Sequence, residues 1–275
     1  MNNGAQRRSW FLTSHLRAAG ARLGLAIVLA PAVVVPRSAQ AQTFTLLYTF
    51  TGGADGRTPG GGVILDAAGN LYGTTTQGGN LACSQGCGTV FKVDGAGKEI
   101  VLHSFTGTGA GDGEYPTAAL VMDGQGNLYG TTAVGGTSGH GTVFKVDTTG
   151  KETVLHSFSG ASWEGAFPNG GVVRDGQGNL YGTTEAGGTS NCGTVFKLDP
   201  TGKETVLYSF TGTGGDGSSP EAGVVRDGQG DLYGTTRVGG VSNYGTVFTV
   251  DTSGKETVLY SFTGPWADGA YPGPT

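Results

Sequence analysis

The chain has 275 residues, with 16 Lys and Arg against 21 Asp and Glu; without the five arginines of residues 1–41, the remainder carries a net charge of −10. Such a surface repels phosphate backbones, which sets nucleic acid aside as a partner, and no later stretch reaches the ~18 apolar residues of a membrane-spanning helix. Gly supplies 55 residues, at fixed offsets among Val, Leu, Tyr and Phe, which describes turns in a packed array and not a disordered linker.

At the N-terminus, Arg7, Arg8, Arg17 and Arg22 precede an apolar run over residues 23–35, and Ala39-Gln40-Ala41 offers small residues for cleavage. This layout predicts an export signal over residues 1–41. The apolar run falls short of the ~20 residues that span a bilayer as a helix, and Arg7-Arg8 followed by Ser9-Trp10-Phe11-Leu12 is similar to a twin-arginine signal. The expected location is secreted, periplasmic or cell-surface, with nothing crossing a membrane once the signal is removed.

Residues 43–275 form one repeat domain. Tyr-Gly-Thr-Thr begins at Tyr72, Tyr129, Tyr181 and Tyr233, and Gly-Thr-Val-Phe at Gly88, Gly141, Gly193 and Gly245, so the last three copies run at a period of 52 residues. The first copy carries an insertion within residues 80–86 that brings Cys83 just ahead of Cys87. The repeats cover approximately residues 60–105, 117–158, 169–210 and 221–262. Between them stands an acid-Gly-x-x-Pro linker, led by Asp55, Asp112, Glu164, Asp216 and Asp268.

In the third repeat, strand-like runs rich in Val, Thr, Tyr and Phe occupy residues 171–175, 179–184, 193–199 and 204–210. Asp175-Gly-Gln-Gly-Asn179 and Asp199-Pro-Thr-Gly-Lys203 supply the residues that tight reversals need. Four antiparallel strands at such a period, with no helical periodicity, predict an all-β fold: a β-propeller of four-stranded blades. Residues 43–50 align with a fourth strand whose first three are missing, and residues 265–275 with a linker into a fifth block. The expectation is therefore four complete blades plus one stray N-terminal strand, from a truncated reading frame or a four-blade ring with a surplus strand.

The tandem copies of Asp-x-x-Gly-Asn-Leu-Tyr-Gly-Thr-Thr, followed by Gly-Thr-Val-Phe-Lys-Val-Asp and Ser-Phe, resemble the bacterial choice-of-anchor tandem repeats called GloVer, and more distantly NHL-type propeller blades. That resemblance runs from Thr43 onward. It implies an exported, surface-directed repeat protein of the kind usually tethered by a C-terminal anchor, with no catalytic residues to carry over; an anchor motif is not recognisable in this sequence.

In a propeller, the loops joining second to third strands open on the same face as the linkers between blades. Asp55, Asp112, Glu164, Asp216 and Asp268 could then form a ring of carboxylates able to hold Ca²⁺ through oxygen, or simply cap the turns that Gly and Pro complete. Gly107-x-Gly-x-Gly-Asp112 faintly resembles calcium-binding Gly-Asp repeats, without their tandem period. Asp112 and Asp216 would serve as a glycosidase acid and base only if they lay roughly 5–10 Å apart. Cys83 and Cys87 are the candidate disulfide, which leaves Cys192 unpaired. Cys87, His140, Cys192 and Tyr244 occupy equivalent positions on successive blades, too spread to share one ion, so no metal site is assigned. His103 and His156 are replaced by Tyr208 and Tyr260 in the other blades and read as outer-strand surface residues. Neither Gly-x-Ser-x-Gly nor His-Glu-x-x-His occurs. The expected function is a binding or structural module acting through the loop face, for carbohydrate or a surface protein, with no cofactor beyond the Ca²⁺ considered above. The alternative is a hydrolase or lyase of extracellular polysaccharide.

Overall fold

Each repeat alternates residues that must leave water with residues that need not, and the strands form where that alternation has a period of two. In the third repeat the strands are Val173–Arg174, Leu180–Thr184, Thr194–Leu198 and Glu204–Ser209, paired in sequence order as an antiparallel meander. The same meander recurs over residues 64–104, 121–157 and 225–261, giving four blades of a β-propeller. The computed structural model describes residues 44–107 and 111–273, so the expected export signal over residues 1–41 lies outside the described residues, as do residues 108–110 of the Gly-Asp stretch before Asp112. Among the described residues no helix is long and apolar enough to cross a membrane.

The two faces of a blade do different work. In the second blade, Leu128, Phe144 and Val146 point back and pack with Val90 and Phe105 of the first blade. Tyr129 and Val143 point forward and pack with Val172, Leu180, Phe196 and Leu198 of the third. Ring contacts repeat across each seam: Phe105 meets Phe144 at 5.0 Å between centroids, Phe158 meets Phe196 at 5.3 Å and Phe210 meets Phe248 at 5.0 Å, all edge to face. Hydroxyls reinforce the contact, with Thr131 Oγ1 donating to the Gly170 carbonyl (2.9 Å) and Thr183 Oγ1 to that of Ala222 (2.7 Å). The core is thus the seam between blades, not the interior of any one of them.

One glycine makes that seam possible. A Cβ on Gly182, the glycine of Leu-Tyr-Gly, would sit 2.8 Å from Cζ of Phe196 on the neighbouring strand, and Gly130 and Gly234 stand the same way against Phe144 and Phe248. The ring lies flat across the backbone where a side chain would otherwise be.

The third and fourth strands of every blade share a further irregularity. Between Val195 and Phe196 the register shifts: Val195 faces Tyr208 and Phe196 faces Val206, so Leu207 is the extra residue of a β-bulge. The same shift occurs in the other three blades. Without it, the first and fifth residues of the fourth strand would share a face; with it, they point to opposite faces.

The expected stray strand takes a different form. Residues 44–50 do not form a strand, since among the described residues no third strand lies beside them to complete a ladder. Tyr48 and Phe50 nevertheless occupy the places of fourth-strand residues, Phe50 packing edge-on against Phe91 at 4.9 Å.

Replacing Gly182 by Ala should cost about 1–3 kcal/mol in urea unfolding, the usual range for overpacking. Adding Phe196→Leu in the same chain should recover part of that loss, which a double-mutant cycle will measure.

Candidate functional site

The linkers and the loops between second and third strands do meet on one edge. Gly113–Glu114 pairs with Val134–Gly135, Gly165–Ala166 with Ala186–Gly187, and Gly217–Ser218 with Val238–Gly239, each a two-stranded ladder outside the blade meander. At the tips of these loops and linkers stand large apolar side chains in water: Trp163 is 72% exposed, Trp266 fully exposed, and Leu81 and Val241 are exposed as well.

The linker geometry rests on a residue in an unusual conformation. Tyr115, Phe167, Ser219 and Tyr271, each just before the linker proline, have φ between 53° and 60°, as does Thr58 at 56°. A side chain there costs ~1–3 kcal/mol, and the following proline adds its own restriction. The position is held by two hydrogen bonds to two blades: the Tyr115 N–H donates to the carbonyl of Cys87 (3.0 Å), and its carbonyl accepts from the N–H of Ala133 (3.0 Å). His140, Cys192 and Tyr244, equivalent to Cys87, supply the same acceptor to Phe167, Ser219 and Tyr271. What these four positions share is therefore a carbonyl, one per linker. The structure joins Cys83 to Cys87 in a disulfide and leaves Cys192 free.

The linker acids turn inward. Asp112 Oδ2 accepts from the Thr106 N–H (3.0 Å) and hydroxyl (3.1 Å), and Oδ1 accepts from the Gly113 N–H. Glu164 takes the N–H of Ser159 (3.0 Å), Asp216 that of Thr211 (2.7 Å), Asp268 that of Thr263 (2.9 Å) and Asp55 that of Thr51 (2.7 Å). Each acid also meets the fifth residue of the preceding fourth strand: His103 Nε2 lies 3.3 Å from Asp112, His156 Nε2 lies 2.8 Å from Glu164, and the Tyr208 hydroxyl donates to Asp216 at 3.0 Å. Tyr48 and Tyr260 donate likewise to Asp55 and Asp268. The histidines are consequently not surface residues, as the sequence suggests: their side chains are 18% and 15% exposed.

A third member comes from the next blade. Glu152 stands with His103 and Asp112, and Glu204 with His156 and Glu164, the donor atoms of each group lying within 4.8 Å of one another. The bulge explains this meeting, since it sends the histidine forward from one blade and the glutamate backward from the next. Each cluster holds the acid of one linker, and neither joins Asp112 to Asp216. Oε1 of Glu99, Glu152, Glu204 and Glu256 is buried without a hydrogen-bond partner at all four equivalent positions. These glutamates carry no motif of their own in the sequence, although Lys-Glu opens every fourth strand, 12 residues ahead of the next linker acid in three blades and 13 in the first.

Burial and then the neighbouring linker acid push the carboxyls of Glu152, Glu204 and Glu256 up to about 7, His103 offsetting part of the rise at Glu152. Burial also pushes Asp112 up, but the hydrogen bonds from His103 and the Gly113 N–H outweigh it and hold that carboxyl below its ordinary value.

On the opposite edge, Asp-x-x-Gly-Asn-Leu-Tyr folds into a closed turn. Asp123 accepts from the N–H groups of Gln125 and Asn127 (both 2.9 Å), the Asn127 amide (2.8 Å) and the Tyr129 hydroxyl (2.9 Å). Arg174 stacks on the Tyr129 ring at 5.6 Å and Arg226 on Tyr181 at 5.5 Å, closing two seams. The equivalent residue facing Tyr72 is Met122, and there the seam opens into a cleft of about 620 Å³ lined by Tyr72, Lys92, Asp123, Gln125 and Asp147, against about 190 Å³ beside Arg174.

Two overlapping segments, residues 33–175 and 82–275, match the Gloeobacter/Verrucomicrobia repeat. No curated protein matches the sequence. Among solved structures, a candidate gluconolactonase superposes with a TM-score of 0.42 at 14% identity over 72% of this chain and 61% of its own. A luciferin-regenerating enzyme gives 0.45 at 15% identity over 76% and 77%, and a protein of unknown function from Dyadobacter fermentans gives 0.42 at 12% over 72% and 63%. The chain thus spans less than two thirds of the length of the first and third of these structures.

A glutamate whose folded-state carboxyl is raised stabilises the fold while protonated and loses that contribution as pH rises through its folded value. The melting temperature should therefore decline between about pH 4.5 and about 7, the range separating the ordinary glutamate value from that of Glu152, Glu204 and Glu256. The lowered Asp112 acts below that window, weakening the fold only as pH drops under its ordinary value of 3.8. In melting curves, the Glu152→Gln, Glu204→Gln, Glu256→Gln triple variant should lose most of the decline across the upper window, the remainder coming from Glu99, which burial also raises.

Proposed function

Because the chain belongs to the Gloeobacter/Verrucomicrobia repeat family, matched over residues 33–175 and 82–275, we propose that it is an exported propeller that binds carbohydrate or a surface protein through its linker and loop face. The observation that carries this reading is the exposure of Trp163, on a linker pinned by backbone hydrogen bonds to two blades, and of Trp266, on a linker bonded to the fourth blade. An indole held in water on a rigid support offers a flat apolar surface for the CH face of a sugar or for an apolar side chain, without an ordering cost on binding. Leu81 and Val241 extend that surface along the neighbouring loops. The linker carboxylates are engaged by N–H and phenol donors and by imidazole rings within their own seams, so they support the turns of the face more than they supply an acid and base for cleavage. Export is supported by the signal-like segment and by the Cys83–Cys87 disulfide, a bond that persists in oxidising compartments.

A glycan array and a pull-down from cell-envelope material, each probed with the full chain, test the reading. Saturable binding without turnover, weakened at least tenfold by Trp163→Ala together with Trp266→Ala, is the expected result. Turnover of any glycan would favour the polysaccharide hydrolase or lyase. Binding that ignores both tryptophans but disappears in Met122→Arg would move the ligand to the cleft beside Tyr72 and overturn the loop-face assignment.

A further inference from the structure

We propose that two of the seams are divalent-metal sites of the zinc type, one built from His103, Asp112 and Glu152 and the other from His156, Glu164 and Glu204. Each brings one imidazole nitrogen and two carboxylate oxygens from three separate segments: the end of one blade, the linker, and the start of the next blade's fourth strand. The donor atoms within a group lie no more than 4.8 Å apart, so that small shifts of the side chains toward a shared centre would give an ion bonds of about 2.0–2.2 Å to each. The buried Oε1 atoms of Glu152 and Glu204 have no hydrogen-bond partner, whereas both carboxylate oxygens of Asp112 and of Glu164 are engaged by protein groups. A buried acceptor without a donor is costly, and a cation at the centre of the group is a partner that removes the cost.

Charge and donor type agree. Two carboxylates and a neutral imidazole around a dication sum to zero, which suits burial. Imidazole with carboxylates suits zinc and its neighbours, whereas Ca²⁺ and Mg²⁺ take oxygen shells. The remaining contacts have the form of a supporting shell: the Thr106 N–H and hydroxyl hold Asp112, and the Ser159 N–H holds Glu164. Three ligands leave a fourth tetrahedral position for water. The chain carries its own controls, because the seams of Asp55 with Glu99 and of Asp216 with Glu256 keep both carboxylates but put Tyr48 and Tyr208 where the histidines stand. Those seams lack the nitrogen ligand and are not expected to bind.

The test is a zinc titration of the chelator-stripped full chain by calorimetry, repeated with His103→Tyr, His156→Tyr and both together. Tyrosine already occupies the equivalent place at Tyr208 and Tyr260, so these variants are expected to fold, which their circular dichroism and melting curves will verify without metal. The expected result is two high-affinity zinc ions per chain, falling by one with each substitution and to none in the double variant, with zinc raising the melting temperature of the parent alone. Thr106→Val should weaken only the first site, by about 10–100-fold. Absence of tight binding by the parent, or binding that persists through both tyrosine substitutions, would overturn the proposal.

Discussion

The linker residue before each proline is the constraint on which the rest of this structure depends. Placing Tyr115, Phe167 or Ser219 at positive φ opposes the preferences of a side chain and of a residue preceding proline alike. It persists because its N–H and carbonyl are hydrogen-bonded to consecutive blades, which makes one residue the pin between them. The consequences spread outward. Pro168 is pressed so close to Gly141 that a Cβ there would lie 2.6 Å from its Cδ, and Gly141 itself has φ of 92°. The glycine of Gly-Thr-Val-Phe and the proline of the linker are thus two halves of one contact, although about 27 residues separate them in the chain.

With blades clamped at that spacing, each face must complement the next, and the β-bulge decides what the faces display. The extra residue turns a period-two strand into one that sends His156 forward and Glu152 backward. Titratable groups from neighbouring blades therefore meet in the seam, close to the same linker that holds the blades together. A buried carboxyl pair would be an expensive choice for a purely structural contact, since hydrophobic residues of similar size fill such space at less cost. Its recurrence at every seam, with only the third partner changing between imidazole and phenol, points to groups retained for more than filling space.

Much of the architecture was legible in the sequence because repetition amplifies weak signals. Tyr-Gly-Thr-Thr, Gly-Thr-Val-Phe and the acid-Gly-x-x-Pro linker each mark an obligatory contact, and their spacing places the strands of the third blade within a few residues of where they lie. The bulge left no such mark: Glu-Thr-Val-Leu-Tyr-Ser reads as an unbroken strand, and counting by twos puts Glu204 and Tyr208 on the same face when they lie on opposite ones. Hence His103 and His156 read as surface residues and Glu152 and Glu204 were not singled out. The pairing of linker with loop was also invisible, since Gly113–Glu114 and Val134–Gly135 are too short for any periodicity.

The same repetition separates what the fold requires from what it leaves free. Glycine at 182, the tyrosine bonded to Asp175, and the prolines of the linkers recur because the geometry of the seam admits little else. Positions that vary between blades are those where the fold is indifferent: imidazole or phenol beside the linker acid, Met122 or arginine over the tyrosine face, tryptophan or a smaller residue at the linker tip. Each such variation changes chemistry locally, exchanging a nitrogen ligand for a phenol, opening a cleft, or exposing an indole. A fold that stabilises itself through identical seams is free to differ from seam to seam only in these places, and it is there that selectivity for any ligand has to be written.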